Sequence, residues 1–177
     1  MQTKPYSDTS LSLATLLSAA AWGMYWFPLR IIENVGISSA WSVVIINACP
    51  IIVLLPLFVL TYKNLQGNLK SVFLSALMIG SAFTLYANAL VETTVVRATL
   101  LFYLNPTIGT IIGLIWLSEK LTKARVISIL IAMFGLILLL SKGDDKALPL
   151  NVGDLYGLIS GLFWALGATF LNRWPSV

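Results

Sequence analysis

A chain of 177 residues that is 58% hydrophobic and only 10% charged carries more apolar surface than a soluble core of its size can absorb. Its net charge of +4 comes from Lys and Arg scattered singly between apolar runs, the pattern of loop charges in a membrane protein, so a nucleic-acid partner is not expected. A single cysteine inside an apolar run (Cys49) offers no disulfide framework or cysteine metal site, and the lack of histidine removes the commonest general base and metal ligand.

The composition therefore predicts an all-α, polytopic helix bundle in a lipid bilayer. Cut out by their flanking charges, six apolar segments follow one another: Leu11–Leu29, Ser39–Tyr62, Ser71–Val91, Thr94–Leu117, Thr122–Leu140 and Leu155–Leu171. Each has about 17–24 residues, enough at about 1.5 Å per residue to cross the hydrocarbon layer as a helix. Lys4, the run Leu11–Leu17 and Ala19-Ala-Ala21 imitate a secretory signal, but the apolar run continues to Leu29, as expected of an uncleaved first transmembrane helix. Along it Ser18, Trp22, Tyr25, Trp26 and Leu29 make one aromatic face. Trp26 and Trp41 suit an interfacial belt, whereas Trp22 lies deeper and, with Tyr25, is a candidate cavity wall.

The second segment carries Asn47, Pro50 and Pro56; the third carries Gly80, Thr84, Tyr86 and Asn88. Gly80, Thr84 and Ala87 share a face that would permit close helix approach. Amides are costly in lipid, so Asn47 and Asn88 are expected to face the bundle interior, bonding either a solute or neighbouring backbone. Thr84 joins them as a cavity candidate.

In the fourth segment, 21 residues without a charge separate Arg97 from Glu119, and Asn105-Pro106 stands in their middle. Pro106 has no N–H for the carbonyl of Phe102, so a kink is expected there. Such a defect is tolerated at membrane depth where protein or a cavity re-satisfies the backbone. Thr94, Ala98, Leu101, Asn105, Gly109 and Ile112 fall on one mostly small stripe. Asn105 either faces a solute cavity or bonds a neighbouring helix. Tyr103 lies roughly opposite Asn105, so both line one cavity only if the kink re-aims one of them. Arg97 near a helix N-terminus calls for a compensating acid. Glu92 and Glu33 are the candidates for an ion pair or gate at the outer face, with snorkelling to lipid headgroups as the alternative. Glu33, Glu92 and Glu119 all sit near helix ends, so no acidic proton relay is visible, and no catalytic constellation points to an enzyme.

Seven Lys/Arg residues fall on the N-terminal side of the membrane and four on the other, which predicts a cytoplasmic N-terminus. Leu16-Leu-Ser18-Ala-Ala-Ala-Trp22 parallels Leu158-Ile-Ser160-Gly-Leu-Phe-Trp164 at an offset of 142 residues. Five segments separate the two copies' starts, so they are expected to run in opposite directions, and the match, short in itself, suggests with that count an inverted repeat of the kind found in secondary transporters.

The stretch Thr94-Val-Val-Arg-Ala-Thr-Leu-Leu-Phe-Tyr-Leu-Asn-Pro106, then Leu117-Ser-Glu119-Lys-Leu-Thr122 and Gly135, resembles the EamA-type domain of the drug/metabolite transporter superfamily. Ala21-Trp22-Gly23 and Gly153-Asp154-Leu-Tyr-Gly157 leading to Trp164 resemble it too. The resemblance implies a multi-pass permease of a bacterial inner membrane, typically exporting amino acids or related small metabolites, without a cofactor. It implies ten helices in two inverted five-helix repeats, with Pro106 and Glu119 at motif positions and the fourth helix beside the central cavity. On that basis residues 11–140 form a first repeat, 141–153 a polar loop, and 154–177 the start of a second, incomplete repeat. The expectation is a truncated transporter whose missing half, or a second copy, completes the cavity. The alternative is a non-transporting membrane scaffold or a half-size subunit needing a partner.

Overall fold

The computed structural model describes residues 8–61, 69–117, 121–141 and 150–173. Its helices are α1 (Asp8–Gly23), α2 (Trp26–Asn34), α3 (Ser39–Thr61), α4 (Leu69–Glu92), α5 (Val95–Phe102), α6 (Asn105–Trp116), α7 (Lys123–Ser141) and α8 (Val152–Arg173). The described residues contain no strand, and the molecule is an all-α membrane bundle. Four spans within it (Ser39–Leu60, Val72–Glu92, Val95–Trp116 and Val152–Arg173) are long and apolar enough to cross a bilayer.

Eight helices correspond to six apolar segments because two segments are each broken in two. Pro106 causes one break: α5 ends at Phe102 and α6 starts at Asn105, with Tyr103 N–H bonded back to Thr99 and Leu104 N–H to Leu101. The other was not foreseen. Pro28 has no N–H for the carbonyl of Met24, which instead accepts from Phe27 N at 2.9 Å, and the chain turns between Gly23 and Trp26. Pro50 and Pro56 sit inside α3 without ending it. They lie on its exposed half, whereas other helices press against both breaks.

Local chemistry sets the helix ends. Thr94 caps α5 by accepting Arg97 N–H on its hydroxyl oxygen (3.3 Å). Asn151 and Asp154 form a reciprocal capping box at the start of α8: each side chain accepts the other's backbone N–H, at 2.9 and 3.1 Å. Gly36, at φ +87°, takes the left-handed turn that closes α2. Arg30 reaches from α2 to the C-terminal carbonyls of α4, bonding Leu90 O at 2.7 Å and Thr93 O at 3.5 Å, where the helix dipole favours a cation.

The bundle is built around α8, which runs along α4 and also covers α5 and α6. Its buried face is a row of small residues, and three glycines mark the closest approaches. A Cβ on Gly153 would lie 2.8 Å from the Glu92–Thr93 backbone, one on Gly161 would lie 2.9 Å from the Phe102 carbonyl oxygen, and one on Gly167 would lie 2.6 Å from Ile79. The Phe102 carbonyl released by Pro106 is thus pressed onto Gly161. The stripe Ala98, Leu101, Asn105, Gly109 is the surface α8 packs against, since a Cβ on Gly157 would meet Ala98 and Leu101 at 3.3 Å and one on Gly109 would lie 3.8 Å from Ala165. Without a hydrophobic drive in lipid, this close backbone packing is what holds such helices together.

By contrast, α1, α7 and most of α3 present exposed leucine and isoleucine, as lipid-facing helices do. The Gly80–Thr84 face of α4 differs from expectation. Nothing lies within 4 Å of a Cβ built on Gly80, and Thr84 is exposed; of that expected face only Ala87 is buried, beside Ser75, Ala82, Tyr86, Ala89 and Leu90.

Candidate functional site

The two breaks come together. Trp22, the next-to-last residue of α1, stacks on Tyr25 (ring centroids 5.5 Å, planes 23° apart) and on Tyr86 of α4 (5.6 Å, 20°). Phe83 meets it edge-on at 5.1 Å, and Phe102, the last residue of α5, lies 6.2 Å away. Trp164 of α8 closes the cluster, 6.3 Å from Trp22 and 5.8 Å from Phe102. Offset and edge-to-face pairs of this kind contribute about 0.5–1.5 kcal/mol each beyond area burial. The breaks are therefore held by rings, with few polar bonds: Tyr86 OH and Thr99 Oγ1 are 3.0 Å apart, and Tyr25 OH donates to Asn47 Oδ1 at 3.4 Å.

Two open-sided cavities flank the α5–α6 break, and Tyr103 lines both. The first, about 360 Å³, lies between the α1–α2 break and α5, with Trp22, Trp26, Tyr86, Thr99 and Tyr103 on its wall. Trp26, expected in an interfacial belt, is part of this wall. The second, about 500 Å³, lies between α6, α7 and α8 and runs from Tyr103, Asn105 and Trp164 toward Arg125 and Asn172. The break thus brings Tyr103 and Asn105, nearly opposite on a straight helix, onto one cavity. Thr110 and Thr169 spend their hydroxyls on the carbonyls of Pro106 and Ala165, both at 2.8 Å. Among the described residues no hydrogen bond engages the Asn105 amide, so a bond to a neighbouring helix is not made.

The remaining candidates separate. Asn47 donates to Val43 O in its own helix and reaches the site only through Tyr25. Asn88 donates to Thr84 O and Thr84 to Gly80 O, within α4. Thr84 lines a different, shallow groove with Gly80 and Phe163. Glu119 lies outside the described residues.

The expected Glu92–Arg97 or Glu33–Arg97 pair is corrected. Arg97 Nη2 donates to Asp154 Oδ2 of α8 at 2.5 Å, with the two side chains 17% and 4% exposed, so snorkelling to lipid is not its state either. Thr93 Oγ1 donates to the other carboxylate oxygen at 3.2 Å. Glu33 is taken by Arg30 (3.1 Å) and by the Ser39 hydroxyl (3.0 Å), and Glu92 is exposed. The α4–α5 corner is consequently clamped on one side by Arg30 and on the other by Asp154. Asp154, which enters the sequence reading only within the Gly153–Gly157 motif, is this partner, and the Asn151-x-x-Asp154 spacing is the sequence signal for an ordered acid there.

A family model described as the EamA-like transporter family matches residues 9–141. "Uncharacterized transporter YojE" of Bacillus subtilis (strain 168) is 26% identical over 135 residues, covering 70% of this chain and 45% of that protein. "Uncharacterized transporter YyaM" of the same organism is 29% identical over 133 residues, covering 73% of this chain and 44% of its own length. The chain thus spans about half the length of the curated relatives it matches. No solved structure matches it significantly.

Proposed function

Because the chain belongs to the EamA-like transporter family, we propose that it forms one half of a pathway carrying small metabolites such as amino acids across the cell's inner membrane. The observation that carries this is the pair of facing helix breaks, at Met24–Tyr25 and at Tyr103–Leu104, with cavities on either side of the second. Discontinuous membrane helices place free backbone groups at mid-depth, where transporters of inverted-repeat design hold their solutes. Asn105 is the amide that would bond the solute. Tyr103, shared by both cavities, is the ring a solute would pass. The clamped Thr93 corner is the outer, closed end, and the Arg125 end is the cytoplasmic mouth.

The inverted repeat finds support in the site. Trp22 and Trp164 end the two matched heptapeptides, and their rings lie 6.3 Å apart. Equivalent residues meet in this way only beside the axis relating the two copies. A second repeat, or a second copy of the chain, would then close the open sides of both cavities.

Solute flux from vesicles carrying the chain tests the reading. Labelled amino acids should leave faster than from empty vesicles. Asn105→Ala should slow the flux roughly 2–12-fold, the worth of one hydrogen bond, and Pro106→Ala should slow it by restoring the helical hydrogen bond to Phe102 O. Flux equal to that of empty vesicles, with the chain inserted and folded, would sink the transport reading for the 177-residue form and favour a scaffold or half-size subunit.

A further inference from the structure

The 360 Å³ cavity at the α1–α2 break differs in kind from its neighbour. Four of its wall residues are aromatic: Trp22, Trp26, Tyr86 and Tyr103. None of its wall residues is an acid or a base. The hydroxyl of Tyr86 is bonded to Thr99, so the wall is mainly ring faces and methyl groups, with the Tyr103 hydroxyl and the Trp22 and Trp26 indole N–H groups as its other polar atoms. Trp22, Tyr25 and Tyr86 stand nearly parallel, each pair within 24°. Of these, Trp22 and Tyr86 line the cavity, and a near-parallel pair is unlike a box of mutually perpendicular rings around a spherical cation. Trp26 and Tyr103 keep 39% and 55% of their surface uncovered, so ring area remains for a guest. The polar groups able to hold a hydrophilic head lie beyond Tyr103, at Asn105 and toward Arg125.

We infer that this cavity is a subsite for a planar aromatic ring, and that the solute is a small molecule joining such a ring to a polar head. This rests on the transport reading and narrows it to a substrate class. The ring stacks against the Trp22–Tyr86 wall beside Tyr103, and the head reaches past Tyr103 to Asn105. An indole- or phenyl-sized group suits the volume, which is at the low end of the range of small-molecule pockets.

The test is binding to the full chain in lipid nanodiscs, read by saturation-transfer NMR against empty discs. The probes are indole, cyclohexanol as a ring without π-faces, and tetramethylammonium as a cation without a ring. Indole should bind saturably above the empty-disc background, and neither other probe should displace it. Val96 lines the cavity and is 60% exposed, so Val96→Trp fills the space without disturbing the ring cluster. It should abolish indole binding while leaving the unfolding midpoint in place. Tyr103→Leu keeps an apolar side chain, removes one ring and should weaken binding about two- to tenfold; it decides alone if Val96→Trp lowers the midpoint. Trp41→Leu, remote from the cavity, should change nothing. Equal binding of cyclohexanol, displacement by tetramethylammonium, or undiminished binding in the variants overturns the inference. Flux separates it from the reading it rests on: indole binding without amino-acid flux keeps the subsite and removes transport, whereas flux without indole binding removes the subsite alone.

Discussion

Removing the Asp154 carboxylate should loosen the whole bundle. In Asp154→Ala, Arg97 keeps its charge but loses the oxygen 2.5 Å away, Thr93 loses its acceptor, and the Asn151 N–H loses the capping side chain. Deleting one partner of a buried ion pair costs about 3–5 kcal/mol. This pair lies at the end of the bundle, where water can reach Arg97 in part, so about 3 kcal/mol is expected. At about 2–4 °C per kcal/mol for a chain of this size, the unfolding midpoint should fall by roughly 6–12 °C. Thermal unfolding of the detergent-purified chain, followed by tryptophan fluorescence, reads it. Arg97→Leu/Asp154→Leu leaves no unpaired charge and should recover most of the loss, giving a coupling energy of about 1–3 kcal/mol in the double-mutant cycle. Asp154→Asn, whose single amide oxygen can still accept from either Thr93 or the Asn151 N–H, should fall between. If the single effects add to within about 0.5 kcal/mol, or if Glu92→Ala is as damaging as Asp154→Ala, the Asp154 pairing is not what fastens α8.

Two further outcomes follow from the packing. Gly161→Val should separate α5 from α8, because its Cβ would lie 2.9 Å from a backbone oxygen, while Gly80→Ala, with open space around it, should stay within about 0.5 kcal/mol of wild type; disulfide cross-linking between cysteines placed on α5 and α8 would report the separation. Trp22→Leu should lower the unfolding midpoint through loss of several ring contacts, each about 0.5–1.5 kcal/mol, and Trp41→Leu, 64% exposed, should leave it in place; equal shifts would mean the ring cluster does not hold the breaks.

The spans were legible because single charges punctuate long apolar runs, and no neighbour has to be known to read that. The Pro106 break was legible because a proline with an amide stands far from any charge. Pro28 was not, since it lies close to Arg30 and looks like the end of a helix. Periodicity grouped Gly80 with Thr84 correctly but could not say which of two small, apolar faces of α4 another helix would cover. The Arg97 partner was illegible for a different reason: Glu33, Glu92 and Asp154 all stand at ends of apolar segments, and only the packing of α8 against α5 decides which of them Arg97 meets. Whether Tyr103 and Asn105 share a cavity depends on how far a broken helix rotates, which the residues alone do not specify.

The place of α8 also sets a timetable for biosynthesis. The helix at the centre of the bundle is the last one described, and it lies beyond the 9–141 stretch that matches the family model. At about 5–20 residues per second on the ribosome, the 57 residues between Arg97 and Asp154 take roughly 3–11 s to synthesise. For that interval the guanidinium at the start of α5 lacks its acid, and the α4 surface around Ile79 has no helix over it. The helices made before α8 must therefore wait, unfinished, in the insertion machinery or against lipid. Slow translation through the segment before α8 lengthens that exposure, so the yield of folded protein depends on how quickly α8 arrives.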